Sequence, residues 1–133
     1  MDYEELAKII DMDAVNTFKR NALNPEHPVI RGTAQNPDIY FQGREAANKF
    51  YDALPAVVEE YMGEISRITG RDYRLFNYYG APDADRVIVA MGSACEAIEE
   101  TIDYLTAKGE KVGLVKVHLF RPFVASKLLE VIP

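Results

Sequence analysis

The sequence predicts an α/β fold in which a helical N-terminal half is followed by a parallel β-α-β unit. Arg86–Met91 and Val112–Phe120 are short runs rich in β-branched residues, which is typical of strands. Between them, apolar residues recur at helical spacing and acidic residues occupy the opposite face. Because the connections are short, strand, helix and strand should form a right-handed parallel crossover.

The first half of the chain begins with two predicted short helices, over Asp2–Ile10 and Asp13–Asn21. Asp2 is the expected N-cap of the first helix, and Glu5 lies at its third helical position. The positions expected to face a core recur at helical spacing: Leu6, Ile9 and Ile10 in the first helix, and Val15 and Phe18 in the second.

Residues Asn24–Asp38 form a proline-rich segment with many hydrogen-bonding side chains. Prolines remove backbone donors and favour extended conformations before them, so this segment should be a loop. The presence of apolar residues among the polar ones favours an ordered loop, held by its own side chains or docked onto another surface. The docking candidates are Arg31, Thr33, Gln35, Asn36, Asp38, Gln42 and Arg44.

Two further helices are predicted between Pro37 and Gly70. The first covers Pro37–Tyr51, and the second starts near Pro55, a residue that suits the first turn of a helix. Gly70 should end the second helix. The residues expected to be buried in the first are Tyr40, Phe41, Ala47 and Phe50, and those in the second are Leu54, Val57, Val58, Tyr61, Met62, Ile65 and Ile68.

The second half should contain either a short edge strand or an extended connector over Tyr73–Tyr79, and then the β-α-β unit. The strand Arg86–Met91 should be buried on both faces because it is continuously apolar. Ser93 lies three residues before Glu96, a capping-box spacing for the helix that Gly109 ends. A last helix over Val124–Val131 should bury two leucines, Leu128 and Leu129.

Composition narrows the function classes. The 133 residues carry a net charge of −6, which argues against nucleic acid or an anionic membrane as the main partner. No apolar run reaches the roughly 20 residues that span a bilayer, and no signal peptide is expected. The single cysteine, Cys95, cannot form an internal disulfide, so a cytoplasmic location is expected.

Few residues are candidates for chemistry. The Gly92–Ala94 turn lies between a strand and a helix, where phosphate groups often bind, but it lacks a dinucleotide or phosphate-loop motif. Cys95 has no histidine nearby in sequence and is expected to be a small buried apolar residue. His118 alternates with strand residues, so a structural role is favoured over metal binding, and His27 is distant in sequence. A third feature is an acidic helix face, expected to be solvated: Glu96, Glu99, Glu100 and Asp103.

Two long stretches of the chain resemble pyruvate:ferredoxin (flavodoxin) oxidoreductase. The most specific motifs are RGTAQNPDIYFQGRE and GEKVGLVKVHLFRPF, and the resemblance covers nearly the whole chain. It implies that residues 1–80 are the end of a pyrimidine-type domain with its connector. Residues 81–133 would then begin a domain similar to the transketolase C-terminal domain.

The resemblance also implies an anaerobic multidomain parent with thiamine diphosphate, magnesium and iron–sulfur clusters. Such enzymes convert pyruvate and coenzyme A to acetyl-CoA and carbon dioxide and reduce ferredoxin or flavodoxin. The likeness is not expected to reach the thiamine diphosphate-binding domain or the cluster-binding motifs, so no catalytic, cofactor or metal residue is assigned. The chain alone is expected to be inactive, since one cysteine cannot hold a cluster.

Partners would be the remaining domains of the parent, together with further copies of the chain. Because a two-stranded parallel sheet has open edges, either the Tyr73–Tyr79 segment and the N-terminal helices complete the core or the chain is a piece of something larger, and the second is favoured. Two alternatives stay open: an interaction module that docks through Asn24–Arg44, and a small coenzyme A or nucleotide binder at Gly92–Ala94.

Overall fold

A computed structural model describes residues 1–28, 32 and 34–133. Contacts divide the chain into two compact units, Met1–Lys49 and Phe50–Pro133. The structure confirms the α/β class: helices α1 to α5 accompany one sheet of strands β1 to β3. In chain order the elements are α1 Tyr3–Ala7, α2 Met12–Arg20, α3 Pro37–Thr69, β1 Phe76–Gly80, β2 Arg86–Ala90, α4 Ala94–Thr106, β3 Val112–Val117 and α5 Ala125–Leu129.

The first unit contains two short helices with the caps that their sequences require. At α1 the predicted cap at Asp2 is confirmed, and Glu5 completes a capping box: Glu5 N donates to Asp2 Oδ1 at 2.8 Å, and Asp2 N donates to Glu5 Oε2 at 2.9 Å. At α2 the cap is Asp11, whose carboxylate accepts from the amides of Asp13 and Ala14. The helix therefore begins one residue before the predicted start, because Asp11 supplies the cap oxygen.

The predicted burial in the first unit is largely wrong. Val15 is half-buried, but Phe18 is 79% exposed. The aromatic residues expected to be buried at the start of α3, Tyr40 and Phe41, are also exposed, as is Phe50 just beyond. Only Ala47 of that set is half-buried. Helical periodicity therefore did not lead to burial at most of these positions.

Helix α3 is one continuous helix, so the prediction of two separate helices is wrong. Pro55 lies inside it rather than at a start. An internal proline costs about 3 kcal/mol because it removes one backbone hydrogen bond and crowds the preceding turn. In the second unit that cost is offset by packing, since Val58 and Met62 contact the core. Gly70 ends the helix as predicted, with a φ of +71° and its N–H donating to Ser66 O at 2.8 Å.

The second unit is built around a three-stranded sheet in the order β1-β3-β2. Strand β2 runs parallel to β3, with Arg86 opposite Val112, which confirms the parallel β-α-β unit. Strand β1 runs antiparallel to β3, with Phe76 opposite Val117. The prediction of an edge strand in this region is therefore confirmed within the described residues, and β1 shares the sheet with β2 and β3.

Side chains of β3 alternate between two apolar clusters, one on each face of the sheet. Val112 and Leu114 join Cys95 and Ile102 of α4. On the other face, Val115 and Val117 join Leu75 and Phe76, with α3 and α5 residues packed against them. This alternation places helices on both faces of β3, which is the buried centre of the unit.

Two predictions of burial in the second unit are wrong. Strand β2 is not buried on both faces, because Ile88 is 49% and Val89 58% exposed. Helix α4 packs mainly on β3 and β1, which leaves β2 at the margin. In α5, Leu128 contacts the core but Leu129 is 72% exposed, because successive residues of a helix face directions about 100° apart.

Candidate functional site

A cleft of about 600 Å³ lies at the carboxyl end of β2, beside the start of α4. Ligands of α/β proteins commonly bind at this end of the strands. The cleft brings the Gly92 turn and Cys95 together with three residues that the sequence did not group with them, namely Tyr73, Lys116 and His118.

The predicted capping box at Ser93 and Glu96 is wrong. Gly92 has a φ of +76° and makes the turn, and its carbonyl oxygen accepts from Cys95 N at 3.1 Å. Ser93 already has helical backbone angles, φ −64° and ψ −18°, and its side chain makes no cap bond. A capping side chain reaches the helix amides from an extended backbone, which Ser93 does not have.

Cys95 behaves as a small apolar residue, as predicted. It is 8% exposed and packs with Ile102, Val112 and Leu114. Thiols react as thiolates where they are accessible, whereas this side chain is almost fully buried. Its contacts therefore favour packing over catalysis.

His118 has the structural role that the sequence predicts. Its Nδ1 atom lies 2.7 Å from the carbonyl oxygen of Arg74, so we assign the ring proton to Nδ1 as the donor. The Tyr73 ring lies beside it, with the ring centroids 6.2 Å apart. His27, in the first unit, pairs with Asn24 in a short turn. Among the described residues, no group of three His, Cys, Asp or Glu side chains could hold a metal ion.

The acidic face of α4 is only partly solvated, which corrects the sequence prediction. Glu99 Oε1 is buried and lies 2.5 Å from Lys116 Nζ, in an ion pair rather than a well-aligned hydrogen bond. Asp103 accepts a 2.7 Å hydrogen bond from the Tyr79 hydroxyl group. That bond, together with partial burial and the negative charges of Asp103 and Glu99, raises the pKa of Tyr79. Two of the four acids thus fasten α4 to the sheet.

The docking candidates in the described residues do not form one cluster. Gln35 and Asn36 are exposed and precede α3, and the Asn36 carbonyl oxygen accepts from Tyr40 N at 2.9 Å. Asp38 and Gln42 lie four residues apart and share a face of α3. Arg44 lies two residues further on, so it faces another direction. Arg31 and Thr33 lie outside the described residues.

One feature of the sequence indicates that Lys116 has an acidic partner. A lysine in an otherwise buried strand predicts an acidic partner, because charged groups are seldom buried unless paired. That feature does not identify Glu99 as the partner. Glu99 is 17 positions away, and it meets Lys116 only because of how α4 packs on β3. Arg71 and Asp72, which also line the cleft, carried no pattern that would have marked them.

Two family models match different parts of the chain. Residues 1–63 match a model described as pyruvate flavodoxin/ferredoxin oxidoreductase, thiamine diphosphate-binding. Residues 84–132 match pyruvate:ferredoxin oxidoreductase core domain II. Strands β2 and β3 and helices α4 and α5 lie within the second match.

Similar proteins include a pyruvate-flavodoxin oxidoreductase of Enterobacter agglomerans, 65% identical over all 133 residues. A pyruvate:ferredoxin oxidoreductase of Moorella thermoacetica is 62% identical, and a pyruvate-flavodoxin oxidoreductase of Klebsiella pneumoniae is 61% identical, both over the same length. The chain spans 11% of the length of each of these relatives. It belongs to the pyruvate:ferredoxin (flavodoxin) oxidoreductase family.

One expectation drawn from the resemblance is wrong. The likeness was expected to stop short of the thiamine diphosphate-binding domain, yet the model that matches residues 1–63 carries that description. The family cofactor is thus supported. Among the described residues, no candidate cluster for a metal ion accompanies the match, and no described helix is both long enough and apolar enough to cross a membrane.

Proposed function

We propose that the chain is a scaffold and interdomain element of a pyruvate:ferredoxin (flavodoxin) oxidoreductase and has no active site of its own. The observation that carries this proposal is the pair of matches, residues 1–63 and 84–132, to two different parts of that family. In this proposal the chain joins those two parts and fixes how they face each other.

In this proposal the chemistry belongs to the rest of the parent enzyme. The parent converts pyruvate and coenzyme A to acetyl-CoA and carbon dioxide in the cytoplasm and reduces ferredoxin or flavodoxin. This needs thiamine diphosphate with magnesium as the carbanion-stabilising group and iron–sulfur clusters to accept electrons. The buried thiol of Cys95 supports neither role for this chain. The domain boundary near residue 80 remains part of the proposal.

The partners that the proposal requires are the remaining domains of the parent and, when these are absent, further copies of the chain. The first unit supports docking because none of its described residues belongs to the buried core, while Phe18, Leu23 and Phe41 are more than 60% exposed. Exposed apolar groups on neighbouring elements are typical of surfaces that bind another protein. The shared face of Asp38 and Gln42 would supply polar contacts at the rim of such a surface.

The test is an assay of the purified chain with pyruvate, coenzyme A, thiamine diphosphate, magnesium and a viologen acceptor. We expect no acceptor reduction by the chain alone, and reduction when the other domains of a family member are supplied. The variant Asp38→Asn/Gln42→Ala should weaken this complementation. The control Glu60→Gln, an exposed acid further along α3, should leave it unchanged.

Two results would contradict the proposal. Viologen reduction that follows the isolated chain through purification would show that it holds an active site. Stabilisation of the chain by coenzyme A or a nucleotide, lost in Ser93→Pro, would instead favour a small-ligand binder at Gly92–Ala94. Complementation that both α3 variants reduce equally would exclude the Asp38 face as the docking surface.

A further inference from the structure

Residues 70–77 run from the end of α3 through the first two residues of β1 and lie in the interval, residues 64–83, that neither family model covers. A connector between two parts of a multidomain enzyme is either a flexible tether or a fixed joint. The two cases differ in whether the backbone polar groups of the connector have protein partners.

At its start the connector is fastened to the last turns of α3. The Ser66 hydroxyl oxygen accepts a 2.9 Å hydrogen bond from Tyr73 N while donating to Met62 O at 2.7 Å. Ser66 is half-buried, so water competes only weakly for these bonds. This side chain therefore ties a residue seven positions away back onto the helix.

The middle of the connector is fastened to itself by Asn77. The Asn77 side chain accepts from Arg74 N at 3.0 Å through Oδ1 and donates to Asp72 O at 3.1 Å through Nδ2. Arg74 Nε also lies 3.1 Å from both carboxylate oxygens of Asp72. One amide side chain thus closes the loop from Asp72 to Asn77.

At its end the connector is fastened to the residues that follow β3. The Arg74 carbonyl oxygen lies 2.7 Å from His118 Nδ1, and the Leu75 carbonyl oxygen accepts from His118 N at 3.0 Å and from Leu119 N at 3.2 Å. The next two side chains anchor it further, because Leu75 is 2% and Phe76 1% exposed in the core.

We infer that residues 70–77 are a fixed joint, held by Ser66, Asn77 and His118, that makes the end of α3 and the sheet of the second unit move as one body. Moving one against the other would break bonds at three places and expose Leu75 and Phe76. The use of this joint rests on the proposed function, since a scaffold must hold a fixed angle. The rigidity itself does not depend on it.

The test is residue-resolved hydrogen exchange of the 133-residue chain in solution. We expect the amides of Tyr73 and Arg74 to exchange at least about a hundredfold more slowly than in an unstructured peptide. Ser66→Ala should speed exchange at Tyr73 by about fivefold or more, and Asn77→Ala should do the same at Arg74.

The matched control is Thr101→Ala. Thr101 donates to Ala97 O at 2.8 Å, four residues back along α4, as Ser66 does to Met62, but it accepts no bond from a connector. It should leave Tyr73 exchange within about twofold. Wild-type exchange of Tyr73 and Arg74 below the hundredfold threshold would overturn the inference, as would equal effects of Ser66→Ala and Thr101→Ala.

The two proposals fail separately. Exchange is measured on the chain alone, so unprotected connector amides would overturn the joint whether or not the chain complements an oxidoreductase. A chain that keeps slow exchange but never restores activity to the remaining domains would overturn the scaffold function and leave the joint intact. Should Ser66→Ala fail to fold, wild-type exchange alone still decides the question.

Discussion

The Tyr78 ring packs directly against Gly113 of β3. A Cβ atom on residue 113 would lie 2.1 Å from the Tyr78 hydroxyl oxygen and 2.6 Å from the ring carbon that bears it. The Tyr78 hydroxyl donates to the Ala81 carbonyl oxygen, and the ring packs against the core cluster of Leu75 and Phe76. Gly113→Ala must therefore displace this ring.

We expect Gly113→Ala to lower the free energy of unfolding by about 2–4 kcal/mol. About 1 kcal/mol is the net loss of the hydroxyl hydrogen bond. About 1–3 kcal/mol is the usual cost of forcing extra volume into a packed core. Tyr78→Phe should cost only the first of these, about 1 kcal/mol, because the ring stays in place.

The assay is urea unfolding of the 133-residue chain, followed by circular dichroism. Gly63→Ala is the matched control, because a Cβ there meets nothing within 4 Å. It should stabilise the chain by about 0.5–1 kcal/mol, as alanine does in place of glycine within a helix. The double variant Gly113→Ala/Tyr78→Ala should cost less than the sum of the single changes, since without the ring the new methyl group has room. Additive costs, or a loss below about 0.5 kcal/mol for Gly113→Ala, would refute the packing argument.

Two further predictions concern single side chains. Ser93→Ala should change the free energy of unfolding by less than about 0.5 kcal/mol, because its side chain makes no cap bond. Asp11→Ala should cost about 1 kcal/mol, because two amides lose their acceptor. Thermal melts compare the two variants, and a larger loss for Ser93→Ala than for Asp11→Ala would show that Ser93 does cap α4. Lys111 lies 2.6 Å from Asp83 and lowers the pKa of that carboxyl below its ordinary 3.8. The pair should therefore stabilise the fold above the unfolded-state pKa and lose that contribution as pH falls through the folded-state value. Carboxyl titration by NMR should show the Asp83 pKa rising in Lys111→Met, and an unchanged value would contradict this assignment.

The sequence predicted the elements of the second unit because each of its patterns was local. The period of α4, the β-branched run of β3 and the helix stop at Gly70 depend on residues only a few positions apart. The wrong prediction of a helix start at Pro55 also came from a local pattern. Its local preference for a helix start was outweighed by packing of the following turns on the sheet, which no local pattern reports.

Burial was predicted less well because it depends on what lies opposite each element. The continuous apolar run of β2 is typical of a central strand. Because β1 pairs antiparallel with the other edge of β3, however, β3 is the central strand and β2 lies at the edge. The contacts of Lys116 with Glu99 and of Tyr79 with Asp103 likewise require the placement of α4 over the sheet. The Gly92 turn of the cleft could be predicted from the sequence. The positions of Tyr73 and His118 in its lining could not, because they depend on the contacts of residues 70–77.

The last prediction follows from the position of β2. Within the described residues, β2 pairs only with β3, and Ile88 and Val89 point to opposite faces with 49% and 58% of their surfaces exposed. Apolar edge strands pair with other chains unless charge or cover prevents it. The isolated chain should therefore self-associate at the concentrations used for structural work, and Val89→Lys should shift it toward monomer.

Sedimentation at several concentrations measures this directly. The matched control is Val57→Lys, which adds the same charge to a valine on α3 that is 44% exposed. If association uses the β2 edge, only Val89→Lys should weaken it, because a lysine on an edge strand disfavours strand addition while leaving folding intact. Equal effects of the two variants would point to general charge repulsion, and a wild-type chain that stays monomeric throughout would show that the exposed edge of β2 is protected without a partner.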